Sequence, residues 1–433
     1  MKRFSLIFAA VAILVFHGCK KDENLDREIV GLGGDTWPQT PLDEWLYANF
    51  TQPYNIGVKY RWDGTEYDNS KTLVPPEVSR VQPLMELVKT AWIDPYVDQV
   101  NPDFIKTYAP KNYVLVGSLQ YNAGGTVTLG EAEGGIKVTL YNVNNFTNTD
   151  RAVSKRVLKT IHHEFTHILN QTIMYQKEFP YITPTGYTAD WNNSSAYAAN
   201  GFISQYSQAS PVEDFAEMTS IMLTEGKLGY ETLIKSYSST ALASVRKKEE
   251  LVITYFKQVW GIDFYALQNR VQAALNSTAP EDITAYLGAG KMYTLLTPNT
   301  TIGMSADFTQ VYNATKTGLF GYGSRVFNNF TLVYSNAGQV ILRINYTNSS
   351  GSVLNANFTY DITTNANGRF TLTLNSRDGN ANGIAPYVTA LTDYLTQNQF
   401  VYRYFYSNDY VNMYIGLAKA NDSSSYFYGT AGN

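Results

Sequence analysis

The chain has 433 residues, of which 44% are hydrophobic and 16% charged, and carries a formal net charge of −4 at pH 7. That length allows two or three domains with ample core, and the lack of a basic excess argues against nucleic acid as a partner. One cysteine in the whole chain excludes an internal disulfide and asks for another explanation.

The N-terminus supplies one. Met1-Lys2-Arg3 is basic, residues 4–16 are a mostly apolar run too short to span a bilayer, and Gly18 is a small residue before Cys19. This is the layout of a lipoprotein signal peptide over residues 1–18, cleaved so that Cys19 becomes the acylated first residue. Residues 19–38 read as a linker. Within it, Lys20-Lys21-Asp22-Glu23 weakly resembles a charged signal for surface export and equally suits an ordinary charged spacer. The expected location is the outer membrane, with the body at the cell surface or facing the periplasm. No later apolar run is long enough to cross a membrane, so the membrane is reached through the lipid anchor.

Residues 41–50 predict a short helix, 54–62 a strand, 80–90 a helix and 113–118 an apolar strand. Residues 126–129 and 136–143 flank a glycine-rich stretch at 130–135, which predicts a hairpin. Either of its strands could be an edge that meets an extended substrate backbone or one that a loop shields.

His163-Glu164-Phe165-Thr166-His167 is an HExxH motif that uses two of the three histidines outside the leader. Val157, Leu158, Ile161, Phe165, Ile168 and Leu169 recur at three- and four-residue spacing, which predicts a helix over 152–171. On it the two imidazoles stand one turn apart, away from the apolar stripe, with Glu164 beside them in reach of a metal-bound water. His162 points about 100° from His163 and reads as packing or as support to the site, not as a ligand. A catalytic zinc takes three protein ligands and keeps one position open. The metzincin pattern HExxHxxGxxH is excluded, because Asn170 and Ile173 occupy its glycine and third-histidine positions. No histidine follows His167, which leaves a carboxylate as the third donor.

A second helix opens at Ser210-Pro211-Val212-Glu213-Asp214-Phe215-Ala216-Glu217. Ser210 suits the N-cap, Pro211 the first helical position, and Phe215, Met218, Ile221 and Met222 form an apolar stripe. Glu213 and Glu217 share one face, and local sequence leaves two readings open. Glu213 can close a capping box with Ser210 while Glu217 is solvated, or the two can supply a ligand and a partner that orients an imidazole.

HExxH, then Tyr206, then a glutamate seven residues later opening E-x-F-A-E, resembles the gluzincin arrangement of anthrax lethal factor-like peptidases. The wider stretch, about residues 35–275, includes Leu42-Asp43-Glu44-Trp45, Tyr54-Asn55-Ile56 and Lys59-Tyr60-Arg61-Trp62-Asp63. It resembles the zinc-binding metallopeptidase lipoproteins of Bacteroidetes, also called substrate import-associated zinc metallohydrolases. The resemblance implies an α+β zincin-like domain, here residues 39–276, with zinc held by His163, His167 and Glu213. It further implies that Glu217 orients a ligand and that Tyr206 is a transition-state donor.

Residues 228–275 keep helical periodicity, and Arg246-Lys247-Lys248-Glu249-Glu250 reads as the solvated face of a packing helix. A boundary is expected at 276–299, beyond which no glutamate occurs after Glu281. Strand-like runs at 330–335, 339–346, 356–362, 370–374 and 411–417, with a helix at 386–396, predict a C-terminal antiparallel β-rich domain over 300–433, read as a binding module.

The expected function is zinc-dependent hydrolysis of peptide bonds at the cell envelope, with Glu164 as the base and a peptide, protein or glycopeptide as substrate. The alternative is a non-catalytic substrate-binding lipoprotein of a TonB-dependent nutrient-uptake system, with a structural or inactive zinc site. Glu164 favours the enzyme, because a purely structural site needs no base.

Overall fold

A computed structural model describes residues 38–433 apart from 69, 123, 124, 126, 129, 134 and 135. The leader, Cys19 and the charged residues 20–23 lie outside the described residues. The chain divides into a leading unit ending at Glu44 and a body from Trp45 to Asn433. Helix α1 (Pro41–Leu46) continues as a wider turn through Tyr47–Thr51, so the helix expected over 41–50 forms.

Six short strands follow: β1 (Gly57–Lys59), β2 (Asn112–Leu115), β3 (Gln120–Tyr121), β4 (Val127–Thr128), β5 (Gly130–Glu133) and β6 (Lys137–Leu140). Four of them make a mixed sheet in the order β1-β2-β6-β5, with β5 antiparallel at the edge and the others parallel. The hairpin is therefore displaced from its expected place. Residues 130–133, read as part of the turn, are themselves a strand, and β4 pairs with β3 instead. The reason is a close approach. A Cβ on Gly130 would lie 2.1 Å from Thr160 Cγ2, so the glycine lets this strand lie directly against the helix that carries HExxH.

The longer helices of this half, among the described residues, are α2 (Val78–Val88), α3 (Arg151–Thr172), α4 (Pro211–Ile234), α5 (Ser239–Trp260) and α6 (Phe264–Thr278). The apolar stripe of α3 is buried from Leu158 to Leu169, with Val157 half-buried at its start, and Phe165 meets the rings of Trp92 and Tyr96 edge-on at 5.3 and 5.0 Å. Helix α4 breaks at Gly226, whose φ of 67° is left-handed. The carbonyls of Leu223 and Thr224, freed by the break, accept hydrogen bonds from Gln272 Nε2 of α6 at 2.8 and 3.0 Å.

The C-terminal part is an antiparallel barrel. Its strands are β7 (Leu295–Pro298), β8 (Val326–Val333), β9 (Gln339–Thr347), β10 (Val353–Thr364), β11 (Phe370–Arg377), β12 (Phe400–Tyr406), β13 (Met413–Lys419) and β14 (Asp422–Gly432). They close in the order β10-β11-β12-β13-β14-β7-β8-β9. Along β9 burial alternates strictly, so Val340, Leu342, Ile344 and Tyr346 face the core. Helices α7 (Ala306–Gly321) and α8 (Thr389–Thr396) add Phe308, Tyr312, Leu391 and Tyr394 to that core. The barrel meets α6 through polar contacts: Asn269 Nδ2 donates to Tyr410 O at 2.8 Å and Asn276 Nδ2 to Tyr406 Oη at 2.9 Å. Among the described residues no helix is long and apolar enough to cross a membrane.

Candidate metal centre

Asp150 caps α3 by accepting from Ala152 N and Val153 N, at 2.9 and 3.2 Å, and fixes where the helix begins. From that start the buried stripe turns His163 and His167 toward α4. His162, one residue earlier, points into the core, where its Nδ1 lies 3.5 Å from Tyr96 Oη. Burial lowers its pKa to about 3, so it is a neutral packing residue.

Helix α4 starts as its sequence requires. Ser210 Oγ accepts from Glu213 N at 3.3 Å, with Pro211 at the first position. The Glu213 carboxylate meanwhile reaches α3, and its Oε2 lies 3.0 Å from His163 Nε2 and 3.3 Å from His167 Nε2. The two Nε2 atoms are 3.1 Å apart. The cap and the approach to the histidines thus coexist, because the cap uses the Glu213 backbone and the approach uses its side chain.

These three donor atoms form a nearly regular triangle. Tetrahedral zinc with ligands at about 2.0–2.1 Å sets its donors about 3.3 Å apart. Edges of 3.0, 3.1 and 3.3 Å, made by two imidazole nitrogens and one carboxylate oxygen, fit that ion in spacing and in donor chemistry.

Glu217, one turn after Glu213, is buried rather than solvated. Its Oε1 lies 3.1 Å from His163 Nδ1, at ion-pair distance though off the line of a full hydrogen bond, and 2.7 Å from Lys159 Nζ. Ser204 Oγ donates to its other oxygen at 2.5 Å. A carboxylate behind the far nitrogen of a metal-binding imidazole sets the ring's tautomer and orientation. Burial opposes ionisation of Glu217, but His163 and Lys159 outweigh it and bring the pKa down to about 2. For His163 burial is again the largest single influence and lowers its pKa. Glu213 and Glu217 together outweigh it and raise the pKa to about 9. Glu213 is likewise held ionised against its burial by the two imidazoles.

Tyr206 sits on a single 3-10 turn, Tyr206–Gln208, with its ring centroid 5.9 Å from that of His163 and Trp191 packed edge-on at 4.8 Å. Burial, then the Glu213 charge, raises its pKa well above the usual phenol range, so it stays a proton donor. Glu164 is half-buried on the same helix face region, and its charge acts on both His163 and Tyr206.

Sequence reasoning missed three supports: Lys159, Ser204 and Lys248. Lys159 stands one turn before His163, a spacing that was open to reading. Lys248 corrects the expectation of a solvated charge patch on α5. It is fully buried, 2.7 Å from Asp214 Oδ2, and donates to Gly201 O at 2.9 Å. Tyr187 donates to the same Asp214 oxygen at 3.0 Å. Lys248 thereby ties α5 to α4, beside Glu213, and to the segment leading to Ser204 and Tyr206.

Two helices that converge two imidazoles, a carboxylate and an ionisable neighbour on one point define a candidate mononuclear zinc centre in a mixed α/β protein. The chain belongs to the family described as "Putative zinc-binding metallo-peptidase", whose model matches residues 35–265. No curated protein matches it. A crystal structure described as a putative zinc-binding metallo-peptidase from Bacteroides caccae is 30% identical, with a TM-score of 0.49 over 57% of this chain and 98% of that one.

Proposed function

We propose that this chain is a zinc-dependent peptidase of the gluzincin type, with a zincin-like catalytic half, held at the outer membrane through acylated Cys19. The observation that carries the catalytic reading is the triangle of His163, His167 and Glu213 with Glu164 and Tyr206 beside it. Zinc bound there would supply a positive charge that lowers the pKa of a water toward neutrality. Glu164 then takes the water proton and returns it to the leaving amine. Tyr206, kept protonated, donates to the oxygen on which negative charge develops, a contribution of roughly 3 kcal/mol for a donor of this kind. Edge strand β5, seated on α3 and unpaired on its outer side among the described residues, is the proposed partner for the backbone of a peptide substrate. The family assignment supports peptide hydrolysis, and the leader with its lone cysteine supports the lipid anchor.

Glu164→Gln tests the reading. The variant should keep about one zinc per chain and lose turnover of a peptide library by several orders of magnitude, because an amide cannot accept the proton. Unchanged turnover on a confirmed substrate would remove Glu164 from the mechanism.

A further inference from the structure

The barrel is closed in strand order but not along its whole height. β11 and β12 share one paired position, Phe370↔Phe400, and β12 runs on past the start of β11 to Tyr406. On its other side β12 pairs with β13 from Phe400↔Lys419 to Tyr406↔Met413. In that register Ser407 N donates to Asn412 O and Ala420 N to Gln399 O, so residues 401, 403 and 405 turn their backbone groups toward β13. Tyr402 and Tyr404 therefore turn theirs the other way, beyond the end of β11. Among the described residues no hydrogen bond reaches the backbone N–H or C=O of either.

This free edge opens on a cavity of about 720 Å³ between the barrel and α6. Ser277 of α6, Asn367 in the turn before β11, Phe370, Tyr402 and Tyr404 line it, and no residue of the metal centre does. Its volume lies in the range of ligand pockets, which favour such junctions between two halves of a protein. The Tyr404 hydroxyl is buried with no partner among the described residues.

We propose that this cleft binds an extended segment of polypeptide, added as a short strand to β12 through the backbone of Tyr402 and Tyr404. The edge selects its occupant. It presents a donor and an acceptor at alternate residues, about 7 Å apart along the strand, a repeat that an extended peptide backbone matches. Charge plays little part. Of the charged lining residues Arg403, Asp282 and Glu281, the last is already engaged by Arg151 and by the Tyr286 hydroxyl. The site stands apart from the zinc chemistry and does not depend on it.

The probe is a display library of random peptides of about nine residues, selected on the full chain carrying Glu164→Gln so that nothing is cleaved. Selected peptides should bind about tenfold or more weakly when Ser277→Trp or Asn367→Trp fills the cavity, and likewise when alternate peptide nitrogens are methylated. Amide exchange at Tyr402 and Tyr404 should slow by about tenfold or more on binding. Both filling variants leave the pairing edge untouched, and a thermal melt as cooperative as that of the unfilled chain shows that each has folded. Four outcomes would overturn the proposal: no peptide recovered, equal binding by both filled variants, tolerance of methylation, or protection confined to residues outside 401–406.

Discussion

Lys248 Nζ lies 2.7 Å from Asp214 Oδ2, with both side chains closed to solvent. Its chain neighbour Lys247 meets Glu250 at 2.9 Å on the exposed face of the same helix. The two ion pairs look alike in sequence and differ in consequence. Burial raises the Asp214 pKa to about 6 and lowers that of Lys248, so each charge depends on the other for its stability. Removing one partner of a buried pair leaves the other uncompensated, at about 3–5 kcal/mol, whereas an exposed pair is worth under about 1 kcal/mol. Lys248→Met should therefore lower stability several times more than Lys247→Met in urea denaturation. Equal, small losses would show that the buried pair does not hold α4 to α5.

The third ligand is tested by zinc titration. Glu213→Gln keeps the backbone half of the Ser210 cap but offers the metal a neutral amide, so zinc affinity should collapse while stability changes by at most about 1 kcal/mol. Glu217→Gln should weaken zinc by roughly 10- to 100-fold, the effect of removing a group that orients a ligand. His163→Ala should abolish stoichiometric binding. Native zinc affinity in Glu213→Gln, with loss in Glu217→Gln, would move the ligand one turn along α4.

The contact between Gly130 and Thr160 gives a prediction with a built-in rescue. A methyl added by Gly130→Ala has Thr160 Cγ2 in its place, so the variant should lose about 1–3 kcal/mol as β5 is pushed off α3. Thr160→Ser removes that methyl and keeps the hydroxyl that donates to Arg156 O at 3.2 Å. In thermal melts the double variant should recover most of the loss. No recovery would mean that the strain lies elsewhere.

Anchoring is tested at Cys19. Cys19→Ala should give a chain that no longer sediments with membranes after a high-salt wash, because a single acylated residue is the proposed attachment. Equal recovery of the variant in the membrane fraction would refute lipid attachment.

The parts of this protein that the sequence determined by itself are those in which neighbours in the chain decide the structure. HExxH with its apolar stripe specifies a helix with both imidazoles on one side, and Ser210-Pro211 specifies where α4 begins. The rest waited on contacts between distant segments. Whether the Glu213 side chain closes a capping box or meets the histidines depends on how α4 lies against α3. Whether Lys248 is solvated depends on Asp214, 34 positions earlier, and the same charged run holds both a buried and an exposed lysine. The barrel shows the limit most plainly. β9 and β10 alternate and were readable, whereas β14, rich in serine and glycine, becomes a strand only because β13 and β7 lie on either side of it. Helix signals sit within one turn of the chain, but strand pairing is made between residues far apart, so it is the tertiary structure that decides which edges close and which, like that of β12, stay open.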